Sequence, residues 1–315
     1  MAKLLTGKEA AASLTAELRE RAAALDRRGV TPRLVILRCG ADEADGAYLR
    51  GALKRGTLCG VDVEVRALPG NVPPQELLAA IDAVNGDASV HGCLLLRPLP
   101  SHLREAEAAI CSRLLPEKDV DGMTDASAAA VYLGRAEGFA PCTAEAVTVL
   151  LDHYGIDCAG KRAVVIGRSP VVGRPAAMLL LARNATVTVC HTRTADLPAV
   201  TREADILVTA AGAAGSLTAA HVRPGQTIID VSANWDAEKN TIVGDADFDA
   251  AASIVDAITP VPGGVGAVTS TVLMAHVIRA AERAAEGGCL RICLPRRRRR
   301  QIMPRPARSK PVSPF

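Results

Sequence analysis

Large rings are almost missing from this chain, which has three Phe, three Tyr and one Trp among 315 residues. The hydrophobic share is nevertheless 49%, so Val, Leu, Ile and Ala must fill the interior, as they do in parallel sheets buried on both faces. That disfavours an all-β sandwich. Also missing is any apolar run near the roughly 20 residues that a membrane span needs, and no basic-then-apolar secretory segment opens the chain. The expectation is a soluble, cytoplasmic protein with no membrane partner. Cysteines in paired spacing are absent too: Cys39, Cys59, Cys93, Cys111, Cys142, Cys158 and Cys190 each sit alone in apolar or strand-like runs. Buried reduced thiols fit that pattern better than disulfides, and no metal site is expected.

Acidic residues are lacking between Arg291 and Lys310, a stretch that holds nine basic ones. Removing those nine from the formal net charge of +3 leaves −6 for the remainder, so the globular part carries no specific nucleic-acid footprint. From Gly287 the composition turns to Gly-Gly, five consecutive arginines and a Pro/Arg/Ser mixture with no periodicity. Residues 287–315 are expected to be a disordered basic tail, capable at most of nonspecific polyanion binding.

What is present is an alternation of helical and strand periodicity. The pattern predicts a helix over Gly7–Arg28, a strand over Arg33–Cys39, a helix over Ala47–Cys59 and a strand near Val61–Ala67. A helix over Pro74–Asn85 and a strand over Gly92–Leu96 follow. After Pro141 the pattern restarts with a helix over Ala144–Tyr154, a strand over Arg162–Ile166, a turn at Gly167–Gly173 and a helix over Pro175–Arg183. Strands over Thr186–Cys190, Asp205–Thr209 and Thr227–Val231 complete a nucleotide-binding-like unit. Such β-α-β order gives mostly parallel sheets with right-handed crossovers. The expectation is α/β with two domains: residues 1–143, completed by a last helix over 269–286 that packs back on them, and residues 144–268.

Two features carry chemistry. Gly167-Arg168-Ser169-Pro170-Val171-Val172-Gly173 lies between an apolar strand and a helix, where a Rossmann-like unit places its phosphate-binding turn. Its spacing is not the usual G-x-G-x-x-G, and an ordinary strand–helix connection stays open. At the end of the next strand, where NAD enzymes commonly carry Asp or Glu for the ribose 2′-hydroxyl, this chain has His191-Thr192-Arg193-Thr194. With no carboxylate there, Arg168, Thr192 and Arg193 suit a 2′-phosphate, which points to NADP; two solvated surface arginines are the alternative.

Several stretches in one order resemble a single family: Pro116–Gly122, Pro141-Cys142-Thr143, Gly167–Pro175, Ala185–His191 and Thr259–Gly266. Together they are similar to the bifunctional methylenetetrahydrofolate dehydrogenase/cyclohydrolase family, over about Leu4 to Glu286. The resemblance implies two α/β domains facing across a cleft, a catalytic domain holding tetrahydrofolate derivatives, an NADP domain, and commonly a homodimer. It implies that Tyr48 stacks on the folate and that Asp121 accepts hydrogen bonds from the pterin amino edge, with Leu96, Pro98, Pro262, Gly263 and Gly264 lining the substrate. On the cofactor side it implies Gly167, Arg168, Ser169, Val172, Gly173, His191, Thr192, Arg193, Ala233 and Thr269. A core tyrosine on its helix and an aspartate capping the turn before Gly122 are the plain alternatives for Tyr48 and Asp121.

The departures bear on activity. The family usually has Lys four residues after the Tyr, where this chain has Ala52, and Gln where it has Leu96. Lys54 lies about 200° round the helix from Ala52, and Arg55, near the Tyr48 face, stays protonated. Hydride transfer from the methylene bridge needs no base, whereas opening the methenyl ring with water profits from one. The expectation is an NADP-dependent dehydrogenase of one-carbon metabolism with weak or absent cyclohydrolase activity. A fully bifunctional enzyme and a non-catalytic folate- or NADP-binding regulator are the alternatives.

Overall fold

The computed structural model describes residues 1–40, 43–135, 137–238 and 240–287, with backbone alone at 43–45, 47 and 48. A two-residue strand, β1 (Lys3–Leu4), precedes helix α1 (Gly7–Asp26), and then β2 (Arg33–Cys39), α2 (Glu43–Cys59), β3 (Asp62–Leu68), α3 (Pro74–Gly86) and β4 (Gly92–Leu95) alternate. Two short helices, α4 (Glu107–Cys111) and α5 (Asp125–Leu133), close the first half. The second half runs α6 (Cys142–His153), β5 (Arg162–Ile166), α7 (Gly173–Ala182), β6 (Thr186–Cys190), α8 (Leu197–Arg202), β7 (Ile206–Thr209) and β8 (Thr227–Asp230). A hairpin of β9 (Asn234–Asp236) and β10 (Thr241–Val243), helix α9 (Phe248–Ala252), strand β11 (Ala257–Ile258) and the long helix α10 (Gly266–Ala285) complete it.

Strand β2, with four consecutive buried residues Leu34 to Leu37, is the centre of a parallel sheet ordered β3-β2-β4. A single bridge between Cys93 and Asp119 extends the β4 edge and sets the segment ending in Asp121 beside that strand. The other sheet is ordered β1-β11-β8-β7-β5-β6 and all its pairings are parallel. Its chain order reverses at β5, with β6 on one side and β7 on the other, which opens a crevice beyond the carboxyl ends of these strands.

Helix α10 joins the halves. It packs against α1, α2 and α6, and buries Val272, Leu273, Met274, Val277 and Ile278. Ile36 of β2, Leu18 of α1, Leu150 of α6 and Val165 of β5 share one apolar cluster with it, so the two sheets are bridged by a continuous core. Each such side chain contributes about 1.5–3 kcal/mol on burial, so an aspartate at Leu273 would uncouple the halves. The expected last helix is present and packs on the first half, beginning at Gly266 rather than Thr269. One boundary differs from expectation: β1, from the start of the expected first domain, pairs with β11 of the other sheet. Two residues are too few to show any periodicity, which is why neither strand was legible.

Candidate functional site

On the first half, the geometry is built on the Pro116–Gly122 turn. Asp119 is fully buried and its carboxylate accepts from the Met123 and Thr124 N–H groups and from the Thr124 and Ser127 hydroxyls, at 2.6–3.0 Å. It is Asp119, not Asp121, that ties the turn. The turn is tight at Gly122 (φ +70°), where a Cβ would lie 2.6 Å from the Phe139 carbonyl oxygen. Lys118 is also consumed: its Nζ donates to the Val84, Asn85 and Asp87 carbonyls and closes the end of α3.

Asp121 is thereby left facing a cavity. No nitrogen or oxygen donor of the described residues lies within hydrogen-bond range of its carboxylate; the nearest cation, Arg97, places Nη2 3.8 Å from Oδ2. Burial pushes the Asp121 carboxyl up to about 6, with Arg97 opposing. Behind it, the fully buried His276 of α10 holds the preceding residue, with Nδ1 2.7 Å from the Val120 carbonyl and Nε2 2.9 Å from Glu145 Oε2. Both partners present acceptor oxygens to the ring, one on each side. Burial disfavours the Glu145 charge, but His276 and Arg279 outweigh that and hold its carboxyl down at about 2. The Cys142 thiol, buried beside His276, is pushed well above its ordinary range by burial.

The cavity, about 460 Å³, is lined by Arg97, Arg104, Glu107, Asp121 and Thr124 on one side and by Pro170 and Val171 on the other. It therefore brings the Asp121 turn and the Gly167–Gly173 turn to one space. Among the remaining expected substrate residues, Leu96 and Pro98 follow β4, Leu96 packing partly into the core and Pro98 lying exposed. In the Thr259–Gly266 loop Pro262 and Gly263 are exposed, while Gly264 is buried: a Cβ there would lie 2.5 Å from the Pro260 carbonyl oxygen, and one on Gly7 would lie 2.0 Å from the carbonyl of Gly264. Gly264 thus serves close contact between backbones. Tyr48 stands in the second turn of α2, and its side chain lies outside the described residues.

The second half presents the strand ends β5 and β6 side by side, joined by the Gly167 N–H to Cys190 carbonyl bond. Both glycines of the turn are required: a Cβ on Gly167 would lie 2.2 Å from the Ala210 oxygen and one on Gly173 2.2 Å from the Gly167 oxygen. The N–H groups of Val172 and Gly173 at the helix start donate to Ser169 Oγ. In the loop after β6, His191 Nδ1 accepts from the Arg193 N–H and the Thr194 hydroxyl accepts from the His191 N–H, so the loop is fixed by its own residues. Arg168, Thr192 and Arg193 are exposed. The nearest carboxylate beyond the strand, Asp196, accepts from the Ala199 N–H at the start of α8. Two exposed guanidinium groups and a hydroxyl are donors of the kind that an anionic ribose substituent takes, so the residues present fit NADP. Ala233 is exposed beyond β8, and Thr269 donates to the Gly266 carbonyl in the first turn of α10.

The residue that sequence reasoning missed is Asp245. Fully buried, it accepts from the Thr209 and Ser232 hydroxyls, the Ala211, Gly212 and Ala213 N–H groups and the Asn234 amide, and so gathers the loops after β7 and β8. The only sequence signal is an aspartate after glycine in Val243-Gly244-Asp245, which is commonplace.

Two family models match: the catalytic domain of tetrahydrofolate dehydrogenase/cyclohydrolase over residues 5–121, and its NAD(P)-binding domain over residues 141–285. The bifunctional protein FolD of Carboxydothermus hydrogenoformans is 47% identical over 283 residues, covering 90% of this chain and 98% of that protein. Among solved structures, the bifunctional FolD methylenetetrahydrofolate dehydrogenase/cyclohydrolase from Campylobacter jejuni is 39% identical with a TM-score of 0.86, over 90% of this chain and 99% of the other. The Trypanosoma brucei FolD, a methylenetetrahydrofolate dehydrogenase-cyclohydrolase solved with NADP and an inhibitor, is 34% identical with a TM-score of 0.82, over 90% and 98%.

Proposed function

The chain belongs to the tetrahydrofolate dehydrogenase/cyclohydrolase family, and from that premise we propose that it oxidises the methylene bridge of 5,10-methylenetetrahydrofolate to the methenyl cation with NADP. The observation that carries the reading is that Asp121 and the Gly167–Gly173 turn line one cavity. Asp121, with no nitrogen or oxygen donor of its own among the described residues and only the weak Cys142 thiol beside it, accepts the paired N–H groups of the pterin's amino edge. Tyr48 offers a flat face to the ring, Leu96, Pro98, Pro262 and Gly263 form the rigid wall around it, and Gly264 packs that loop against Gly7 from behind. Gly167, Ser169, Val172 and Gly173 hold the cofactor pyrophosphate, Arg168, Thr192 and Arg193 its 2′-phosphate, and His191, Ala233 and Thr269 the remainder. NADP, when bound, supplies the hydride acceptor, so the protein's part is alignment and electrostatics.

Water attack on the methenyl ring is a different demand, and here the chain is poorly equipped. Ala52 is 1% exposed and apolar, Lys54 is exposed, Lys118 is engaged by three carbonyls, and Arg55 donates to the Thr15 hydroxyl. The reading is a dehydrogenase with weak or absent cyclohydrolase activity, residues 1–143 with the last helix holding folate and residues 144–268 holding NADP. A homodimer in the cytoplasm completes it; the seven cysteines among the described residues are free and mostly buried, which suits a reducing compartment. The test is steady-state oxidation of 5,10-methylenetetrahydrofolate with NADP and with NAD. Turnover with NADP at higher catalytic efficiency is expected. Binding of both ligands without turnover would instead identify a regulator.

A further inference from the structure

Arg97 follows β4 on the cavity wall, with its side chain 28% exposed. Its guanidinium stands between carboxylates from two different elements, 3.8 Å from Asp121 Oδ2 and 3.9 Å from Glu107 Oε1 of α4. Neither separation is a hydrogen bond, and no hydrogen-bond partner for this guanidinium occurs among the described residues. The fold does not ask for an arginine here: the buried anchors of the segment are Leu95 before it and Leu99 and Leu103 after it. A five-donor cation held loosely between two anions that both line the cavity is an arrangement for charge.

We propose that Arg97 is a positioning residue for the substrate, one that keeps the Asp121 carboxylate charged and aimed at the pterin's amino edge, while Glu107 holds part of the guanidinium's field away from it. The inference rests on the reading of Asp121 as substrate anchor. A charged carboxylate accepts two N–H groups, whereas a protonated one presents a hydroxyl donor toward a donor edge. The surroundings of Asp121 make its charge precarious. Burial disfavours the charge most, Arg97 supports it, Asp119 on the same turn opposes it, and His276 from α10 supports it from behind. Cys142 of α6 adds a thiol, and Glu107 acts through Arg97. Of these groups Arg97 and Glu107 line the cavity, so they can be changed without opening the core.

The experiment is the affinity for tetrahydrofolate by calorimetry from about pH 5 to about pH 8, with no nucleotide present, because a phosphate monoester itself titrates near 6. The unmodified protein should lose affinity as pH falls through about 6, where Asp121 takes up its proton. Arg97→Leu should move that midpoint up by about one unit, which weakens binding about tenfold below it, and Arg97→Lys should hold it near its original place. Glu107→Gln should move the midpoint down, a sign that damage to folding would not produce. A weakening of Arg97→Leu that is equal at every pH, or a midpoint unmoved by both Arg97→Leu and Glu107→Gln, overturns the proposal. Asp121→Asn separates the two layers. If it leaves affinity and pH dependence intact, the anchor reading itself falls; if it weakens binding and flattens the profile while Arg97→Leu leaves the midpoint in place, the role of Arg97 alone falls.

Discussion

The two halves of the molecule contain the same pair of carboxylates used in two ways. In each, one aspartate is saturated with donors and ties the loops at the strand ends, Asp119 in the first half and Asp245 in the second. In each, a second aspartate close by in the chain or in space is pushed by burial to about 6, Asp121 and Asp230 respectively. Asp230 is closed off: it is 2% exposed and accepts from the Ser232 and Ala246 N–H groups. Asp121 has no such donors among the described residues and faces the cavity. A carboxyl lifted toward neutrality is therefore no mark of a site by itself; the lack of backbone N–H donors among the described residues separates the cavity-facing aspartate from the structural one.

The largest effect expected concerns what the first half lacks. With Ala52 and Leu96 in place, hydrolysis of methenyltetrahydrofolate should run about 10²–10⁴-fold below the rate that a positioned acid–base group supports. Disappearance of methenyltetrahydrofolate against a buffer blank measures it, and Ala52→Lys combined with Leu96→Gln should raise it. Hydrolysis far above the blank by the unmodified protein would refute the deficit, with Lys54 the first residue to replace.

In the second half the largest effect is structural. Asp245→Ala strands three N–H groups, two hydroxyls and an amide, and should cost at least about 3 kcal/mol in denaturant unfolding. A loss below about 1 kcal/mol would mean that water replaces the carboxylate and that the loops are not gathered by it.

Arg193→Ala should then narrow the preference for NADP over NAD by about ten- to a hundredfold, the value of a charge-assisted hydrogen bond of about 1.5–3 kcal/mol. Catalytic efficiencies with the two cofactors report it. Equal efficiencies in the unmodified protein would remove Arg168 and Arg193 from the cofactor site.

The smallest effect is on stability against pH. Asp230 has its folded carboxyl raised from 3.8 to about 6, so the folded state binds its proton more tightly than the unfolded chain does. Its contribution is fully present below about 4 and is lost as pH rises through about 6. Glu145, held at about 2, works with the opposite sign and loses its contribution as pH falls from 4.5 toward 2. Asp230→Asn should therefore compare more favourably with the unmodified protein at pH 8 than at pH 4, by about 1–3 kcal/mol in denaturant titrations. An unchanged difference at the two pH values would contradict the assignment.

Much of this was open to reading before any coordinates. Arg33–Cys39, Arg162–Ile166 and Thr186–Cys190 are strands at their expected limits: the first two are apolar runs buried within α/β layers and bounded by polar turns, and the third is an edge strand of alternating Thr and Val. The turn at Gly167–Gly173 was legible since two close backbone approaches there exclude any side chain. What escaped depends on partners distant in the chain. Strands β1 and β11 are two residues each and exist through one another and β8. Asp245 matters only through loops 11 to 36 residues away. His276 reads as an ordinary polar residue on an apolar helix until Val120 and Glu145, 156 and 131 residues distant, are found on either side of its ring. The charge pair across Arg97 likewise joins the end of β4 to the far side of a turn.

The most direct test of the contrast between the halves is one progress curve, with 5,10-methylenetetrahydrofolate and NADP mixed with the protein and both NADPH and methenyltetrahydrofolate followed. The account predicts that the two rise together, one for one, and that the methenyl signal then decays no faster than in buffer. NADPH rising while the methenyl signal stays near zero would show ring opening keeping pace with oxidation, and would contradict it.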